Sequence, residues 1–204
     1  MWHNVDEIET AIQNFATTYP TIAERIPMPE QTWGMDAATP PRTVSALRIG
    51  ANAAGAADGV LLIFGQHARE WIPPEVALEV AAALLGANSG GTGLTYGGKS
   101  YSAADVQTIV NNINVFLIPC VNPDGRQYSL DHDVSTPGDG WRKNRNRTVH
   151  PTCIGVDLNR NYDFAFDLAK YYDVTNPEVT GHTSTDPCNF NQVYQGPSAF
   201  SEPE

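Results

Sequence analysis

The chain has 204 residues, enough for a single domain with its own core, and 41% of them are hydrophobic, which excludes disorder by composition. A net charge of −11, from 12 basic and 23 acidic residues, argues against nucleic acid as a partner, because phosphates would be repelled. No apolar run approaches the roughly 20 residues of a membrane-spanning helix, so no membrane partner is expected.

The N-terminal segment "MWHNVDEIETAI" has neither a basic region nor an apolar one, and is no signal peptide. Val5–Arg25 reads as an amphipathic helix, with Val5, Ile8, Ile12, Phe15 and Ile22 near helical spacing and Tyr19-Pro20 interrupting it. Residues 31–42 read as loop and Thr43–Ile49 as a strand. The small residues of 51–59 predict a turn. Val60–Phe64 is continuously apolar, the pattern of a strand buried on both faces. Pro73 or Pro74 opens a helix over Glu75–Leu85.

The stretch "GANSGGTGLTYGGKS" reads as a glycine-rich loop that matches no phosphate-binding pattern. A helix over Ser102–Asn111, capped by Ser102, leads into a buried strand over Ile113–Val121. Cys153–Leu158 reads as a shorter strand, and the remainder as loop. Buried strands alternating with helices predict an α/β fold around a parallel or mixed sheet, whose ligands would sit beyond the strand C-termini. Three polar clusters follow the predicted strands: His67–Glu70, Asn122–Gly125 ("NPDG") and Leu158–Asn161 ("LNRN"). Together they resemble the rim of an active site.

His67 and Glu70 are spaced i, i+3, so imidazole and carboxylate can share a face and grip one ion. The motif is weak alone; a surface His and Glu in a first helical turn is the plain alternative. Catalytic zinc takes three protein ligands, and of the remaining histidines only His182 lies at a tempting distance, in a polar loop that argues against it. Arg142 belongs to "WRKNRNR", a run holding four of the 12 basic residues and a candidate anion site. Asn159 and Arg160 offer an amide and a planar fork suited to a carboxylate, while Arg145 and Arg147 are expected to pair with surface acids. Asp157 shares a strand face with Asn159 and is a candidate carboxylate behind a metal-bound histidine. Cys120 ends an apolar run and reads as a buried thiol; Cys153 and Cys188 lie in loops and can pair or stay apart. Asn146–Thr148 forms a glycosylation sequon.

The motifs "HAREW", "NPDG", "WRKNR", "GVDLNRNYD" and "GPSAFSEPE", in that order, resemble the zinc metallocarboxypeptidase family, in its A/B-like branch. The resemblance runs from about Val5 to the last residue. It implies an α/β domain with a mixed β-sheet sandwiched by helices, and residues 1–204 as one such domain, without a pro-segment and incomplete at its C-terminus. It implies one Zn²⁺ with His67 and Glu70 as two of its ligands, Asp157 behind His67, and a disulfide between Cys153 and Cys188. It implies Arg69 as a substrate-binding residue, Arg142 as the group that polarises the scissile carbonyl, and Asn159 and Arg160 as binders of the substrate's terminal carboxylate. Peptide or protein C-termini would be the substrates, in a secreted setting. The motif that would carry the third zinc ligand, the general-base glutamate and the side-chain pocket are not matched in this sequence, so the chain alone is expected to be inactive. An exposed sheet edge is expected for the same reason. Two other readings share the residues: a zinc-dependent deacylase of acyl-amino acids, and a pseudo-peptidase that binds C-termini without cutting them.

Overall fold

The computed structural model describes residues 2–53, 55–133 and 140–204, so position 54 of the small-residue turn lies outside the described residues. The chain divides into two compact units. The first holds residues 1–28, 44–64 and 72–121, and the second holds 29–43, 65–71 and 122–204.

The first unit begins with helix α1, Val5–Thr18. Asn4 caps it, accepting from the backbone N–H groups of Asp6 and Glu7, while Glu7 returns a carboxylate to the Asn4 N–H. The helix stops at Thr18 rather than running to Arg25, because the residue before Pro20 is pushed out of the helical region. Ala23–Gln31 is instead strand β1, and Arg25 reaches back from it to Glu9 at 3.0 Å. Strand β2, Thr43–Ile49, is buried from Val44 onward. Val44 and Ala46 pack with Ile118, Ile26 and Met28, while Leu47 and Ile49 pack with Ile8, Ile12, Leu85 and Val110. Two faces of one strand thus enter two apolar clusters, as expected for an interior strand.

Strand β3, Gly59–Ile63, differs from expectation. It runs parallel to β6, Asn114–Ile118, with Val60 opposite Val115 and Ile63 opposite Ile118. The sheet order is β1-β2-β6-β3, with β2 antiparallel to β6, so the sheet is mixed and β3 is its edge. Val60, Leu61, Leu62 and Ile63 are 37–57% exposed, not buried on both faces. Their apolar run is that of a strand meant to be covered, while this sheet offers a neighbour on one side only. An exposed apolar edge is a pairing template for other chains. Leu61→Lys, at the most exposed of these positions, is expected to reduce self-association in sedimentation velocity; unchanged association would show that the edge does not drive it.

Helix α2 spans Ile72–Gly90, longer than the expected Glu75–Leu85, and buries Ala77, Leu78, Ala81, Leu84 and Leu85. The supposed glycine-rich loop then resolves into a hairpin of β4, Leu94–Tyr96, and β5, Lys99–Tyr101. Gly97 and Gly98 both have positive φ, as a two-residue hairpin turn requires. Helix α3, Ala103–Asn112, is capped by Ser102 as its sequence predicts.

The second unit has little regular structure. Helix α4, Pro123–His132, grows out of "NPDG": the Asn122 side chain accepts from the Gly125 N–H and Pro123 stands in the first turn. This polar cluster is a helix cap that also donates from the Asn122 amide to the Gln66 carbonyl at 2.9 Å, beside His67. The predicted strand over Cys153–Leu158 is not formed. Gly155 turns the backbone at φ 86°, against the Asn144 carbonyl where a Cβ has no room. The segment is extended all the same, held by Asn144 N–H to the Val156 carbonyl at 2.9 Å and Asp157 N–H to the Tyr194 carbonyl at 2.9 Å. A 3-10 turn, Leu158–Arg160, follows, and a second, Leu168–Lys170, and a four-residue helix α5, Pro177–Thr180, lie farther on.

Candidate active site

Three segments of the second unit meet around one carboxylate. Asp157 is fully buried, and its Oδ2 accepts from Arg142 Nε at 2.9 Å. Its Oδ1 stands 3.3 Å from His67 Nε2 and accepts the Asn159 backbone N–H at 3.1 Å. Its backbone carbonyl accepts the Arg160 N–H at 2.9 Å. Asp157 therefore ties together His67, Arg142 and Asn159 through its carboxylate and Arg160 through its backbone carbonyl, four residues that the sequence singles out. Burial drives the Asp157 carboxyl upward, but the His67 and Arg142 contacts outweigh it and hold the group below its ordinary value of 3.8. Asp157 is thus a fixed anion inside the unit.

His67 and Glu70 sit on the bend that follows β3 in the chain. His67 is buried and Glu70 is exposed, with Nδ1 and Oε1 2.7 Å apart. The His67 Nε2 is a buried atom without a well-formed hydrogen bond, and it faces the Asp157 carboxylate. These contacts fit a zinc ligand pair: a histidine that ligates through one nitrogen commonly directs its other N–H to a carboxylate. Nδ1 and Oε1, the two atoms left for a metal, converge. Among the described residues, no third His, Cys, Asp or Glu joins them in a three-ligand cluster. The cluster that does form, His150 with Cys153 and Cys188, is taken up by a disulfide between the two cysteines, whose Cα atoms are 5.0 Å apart. His182 is not drawn to His67; its carbonyl accepts from Arg160 Nε.

Arg142 is held at both ends. Its backbone N–H donates to Gln192 Oε1 at 2.8 Å, and its carbonyl accepts the Ala68 N–H at 3.1 Å, fastening the bend of His67 to the segment of Arg142. Gln192 also donates to the Gly140 carbonyl at 3.1 Å. No local signal marks Gln192 in the sequence, since its partner lies 50 residues away. Arg69 donates to the Gly140 carbonyl at 3.5 Å. Arg160 donates to the carbonyls of His182 and Asn159 and pairs with no carboxylate among the described residues.

The rest of the basic run is not a surface patch. Lys143 and Arg145 are 4% and 6% exposed. The Arg145 guanidinium lies 3.8 Å from the Tyr128 ring centre and donates to the Met35 carbonyl, and Arg147 donates to the Gly34 and Trp33 carbonyls. The expected pairing of these two arginines with surface acids gives way to backbone carbonyls and aromatic faces, which a buried guanidinium can satisfy without another charge. Asn146 is 2% exposed and donates to Glu202 at 2.9 Å, so the sequon amide is enclosed in the fold rather than offered for glycosylation. Cys120 is a buried thiol, as its apolar setting predicts.

The model of the zinc carboxypeptidase family matches residues 8–204. Carboxypeptidase B of Astacus astacus is 30% identical over 206 residues, spanning 100% of this chain and 54% of that protein. Carboxypeptidase A2 of Mus musculus is 29% identical over 203 residues, spanning 100% of this chain and 39% of that protein. An inactive metallocarboxypeptidase, ecm14 of Talaromyces marneffei, is 30% identical over 168 residues, 80% of this chain and 23% of the other. The chain therefore spans about half or less of the length of these relatives. Among solved structures, thrombin-activatable fibrinolysis inhibitor matches with a TM-score of 0.69 at 23% identity, over 100% of this chain and 41% of that one. The carboxypeptidase A of Helicoverpa armigera matches with a TM-score of 0.65 at 24% identity, over 99% of this chain and 40% of that one. The fold is theirs, an α/β fold with a mixed sheet and helices.

Proposed function

This chain belongs to the A/B-like branch of the zinc carboxypeptidase family, and from that premise we propose that the protein to which it contributes releases C-terminal amino acids from peptides by zinc-dependent hydrolysis. The observation that carries the reading is the convergence of His67, Arg142, Asn159 and Arg160 on Asp157. His67 and Glu70 would hold the zinc, which supplies a Lewis acid for the scissile carbonyl and lowers the pKa of a bound water. Asp157 faces His67 Nε2 through Oδ1, which would orient the ring with Nδ1 toward the metal. Asn159 and Arg160 bind the terminal carboxylate of the peptide, and Arg69 a more distant part of it. Arg142, oriented through Nε by Asp157, presents its remaining N–H groups to the carbonyl oxygen as charge develops there. The disulfide suits a secreted protein.

Two zinc donors do not make a tight catalytic site, so the 204-residue chain by itself is expected to bind zinc weakly and to turn nothing over. Calorimetric titration with Zn²⁺, beside an assay on an N-blocked dipeptide, checks both. Weak binding that disappears in His67→Ala, with no hydrolysis, is the expected result. Tight binding that survives His67→Ala would move the metal elsewhere, and turnover by this chain would overturn the account. A second reading, a pseudo-peptidase that retains the carboxylate-binding residues without catalysis, is favoured by the similarity to an inactive metallocarboxypeptidase. Turnover by the full-length protein would exclude it.

A further inference from the structure

Away from the candidate active site, the fold brings His150, Cys153 and Cys188 together. Their donor atoms all lie within 4.8 Å of one another, and His150 Nδ1 stands 3.8 Å from Cys188 Sγ. In a tetrahedral zinc site, with metal–sulfur bonds of about 2.3 Å and metal–nitrogen bonds of about 2.1 Å, neighbouring donors stand about 3.5–3.8 Å apart. The nitrogen is therefore at ligand spacing from one sulfur already, and only the covalent bond between the two sulfurs keeps a metal out.

Local contacts hold the three donors. His150 Nδ1 accepts the backbone N–H of Cys153 at 3.1 Å and that of Thr152 at 3.2 Å, so this nitrogen carries a lone pair rather than a proton. A metal ligand must be in that state. Thr152 is exposed and Cys153 half-buried, so water can take over the two amides when the lone pair is drawn to a cation. On the other side, Asp186 Oδ1 accepts the Cys188 N–H at 2.9 Å. Lys143 donates to the Pro187 carbonyl at 3.1 Å, which sets a cation beside the Cys188 segment, where it favours a thiolate. Cys188 is exposed, and a reductant can reach it.

We infer that the Cys153–Cys188 disulfide is a masked metal site: once it is reduced, the two thiolates and His150 Nδ1 bind one thiophilic divalent cation such as Zn²⁺, with a water in the fourth position. A thiol reductant opens the bond by exchange. Two small thiols leave as one disulfide, and their two hydrogens pass to the sulfurs of Cys153 and Cys188. The cation then displaces both as protons. The loop that carries Asp157, Asn159 and Arg160 thereby exchanges a covalent clip for a coordinate one, and stays closed when the disulfide is lost. The site shares no residue with the pair His67 and Glu70 and does not depend on their role.

The test titrates Co²⁺ into the chain after reduction by a phosphine, which takes the oxygen of a water to become its oxide and does not compete for the metal as a thiol would. One equivalent is expected to give thiolate-to-cobalt charge-transfer absorption together with the visible bands of a tetrahedral site, and Zn²⁺ should abolish both. The oxidised chain and the double variant Cys153→Ser, Cys188→Ser should show neither. Both keep His67, Glu70 and Cys120, so the same absorption in either would place the metal elsewhere and overturn the inference. His150→Ala should weaken Zn²⁺ binding at least about tenfold, since even an outer partner of a metal ligand commands that much. Unchanged affinity would overturn the three-donor site. By linkage, Zn²⁺ should also raise the urea midpoint of the reduced parent by more than that of the double serine variant. Cobalt absorption with equal midpoint shifts would mean that the unfolded chain, not the fold, supplies the thiolates, and would equally overturn the inference.

Discussion

Replacing Cys153 and Cys188 by serine is expected to cost the protein about 4 kcal/mol, the chain-entropy value for a loop of this length. The two cysteines are 35 residues apart, and the loop they close contains Asp157, Asn159 and Arg160. The loop has little else to hold it. Its regular structure amounts to two 3-10 turns and a four-residue helix, and Phe164, Tyr171, Tyr172 and Val174 are all exposed. Cross-linking matters most where the open chain is long and native packing is thin. Urea unfolding of the double serine variant, compared with the parent in oxidising and reducing buffer, measures the cost directly. Reducing agent should shift the parent to the variant's midpoint and leave the variant where it is. A difference below about 1 kcal/mol would mean that the hydrogen bonds of the loop, not its closure, maintain it.

What the sequence reveals of this protein follows the range over which each feature is determined. The Ser102 cap, the β2 pattern and the apolar runs of β3 and β6 are local and are read correctly as elements. The failures are also physical. Cys153–Leu158 has strand composition, but Gly155 must turn against Asn144, a partner distant in sequence. The β4–β5 hairpin is masked by its glycines, two of which serve as the turn rather than as slack. Leu61 and its neighbours look like a buried strand because apolar composition reports what a strand is suited to meet, not what it meets in this sheet. Among the site residues, His67, Glu70, Arg142, Asp157, Asn159 and Arg160 are visible as motifs. Gln192, which positions Arg142, is not, and neither is the enclosure of Asn144 and Asn146 by Glu202, because those contacts span 50 residues or more.

Asp157→Ala should have the other large effect, and on two observables at once. Removing the carboxylate leaves Arg142 without its counter-charge and the Asn159 N–H without an acceptor, both beside a buried ring. Breaking a buried charge pair from one side costs about 3–5 kcal/mol. The Arg142 side chain is 12% exposed and can recover some hydration, so about 3 kcal/mol is the expected loss in urea unfolding. Asp157→Asn keeps an oxygen for the Asn159 N–H and should lose less. The two variants diverge from a purely structural role in their metal response. With Asn at 157 the side chain still fills the space, but no anion faces His67 Nε2, so zinc affinity at His67 and Glu70 should fall roughly 10–100-fold. A variant that is destabilised yet binds zinc as the parent does would make Asp157 a packing residue alone. One that keeps its stability and loses zinc would make its contact with His67 the stronger of its two functions. The expected combination, both falling together, follows from the geometry: the carboxylate that holds Arg142 through Oδ2 and Asn159 through Oδ1 also faces the imidazole through Oδ1, so stability and metal affinity draw on one buried charge.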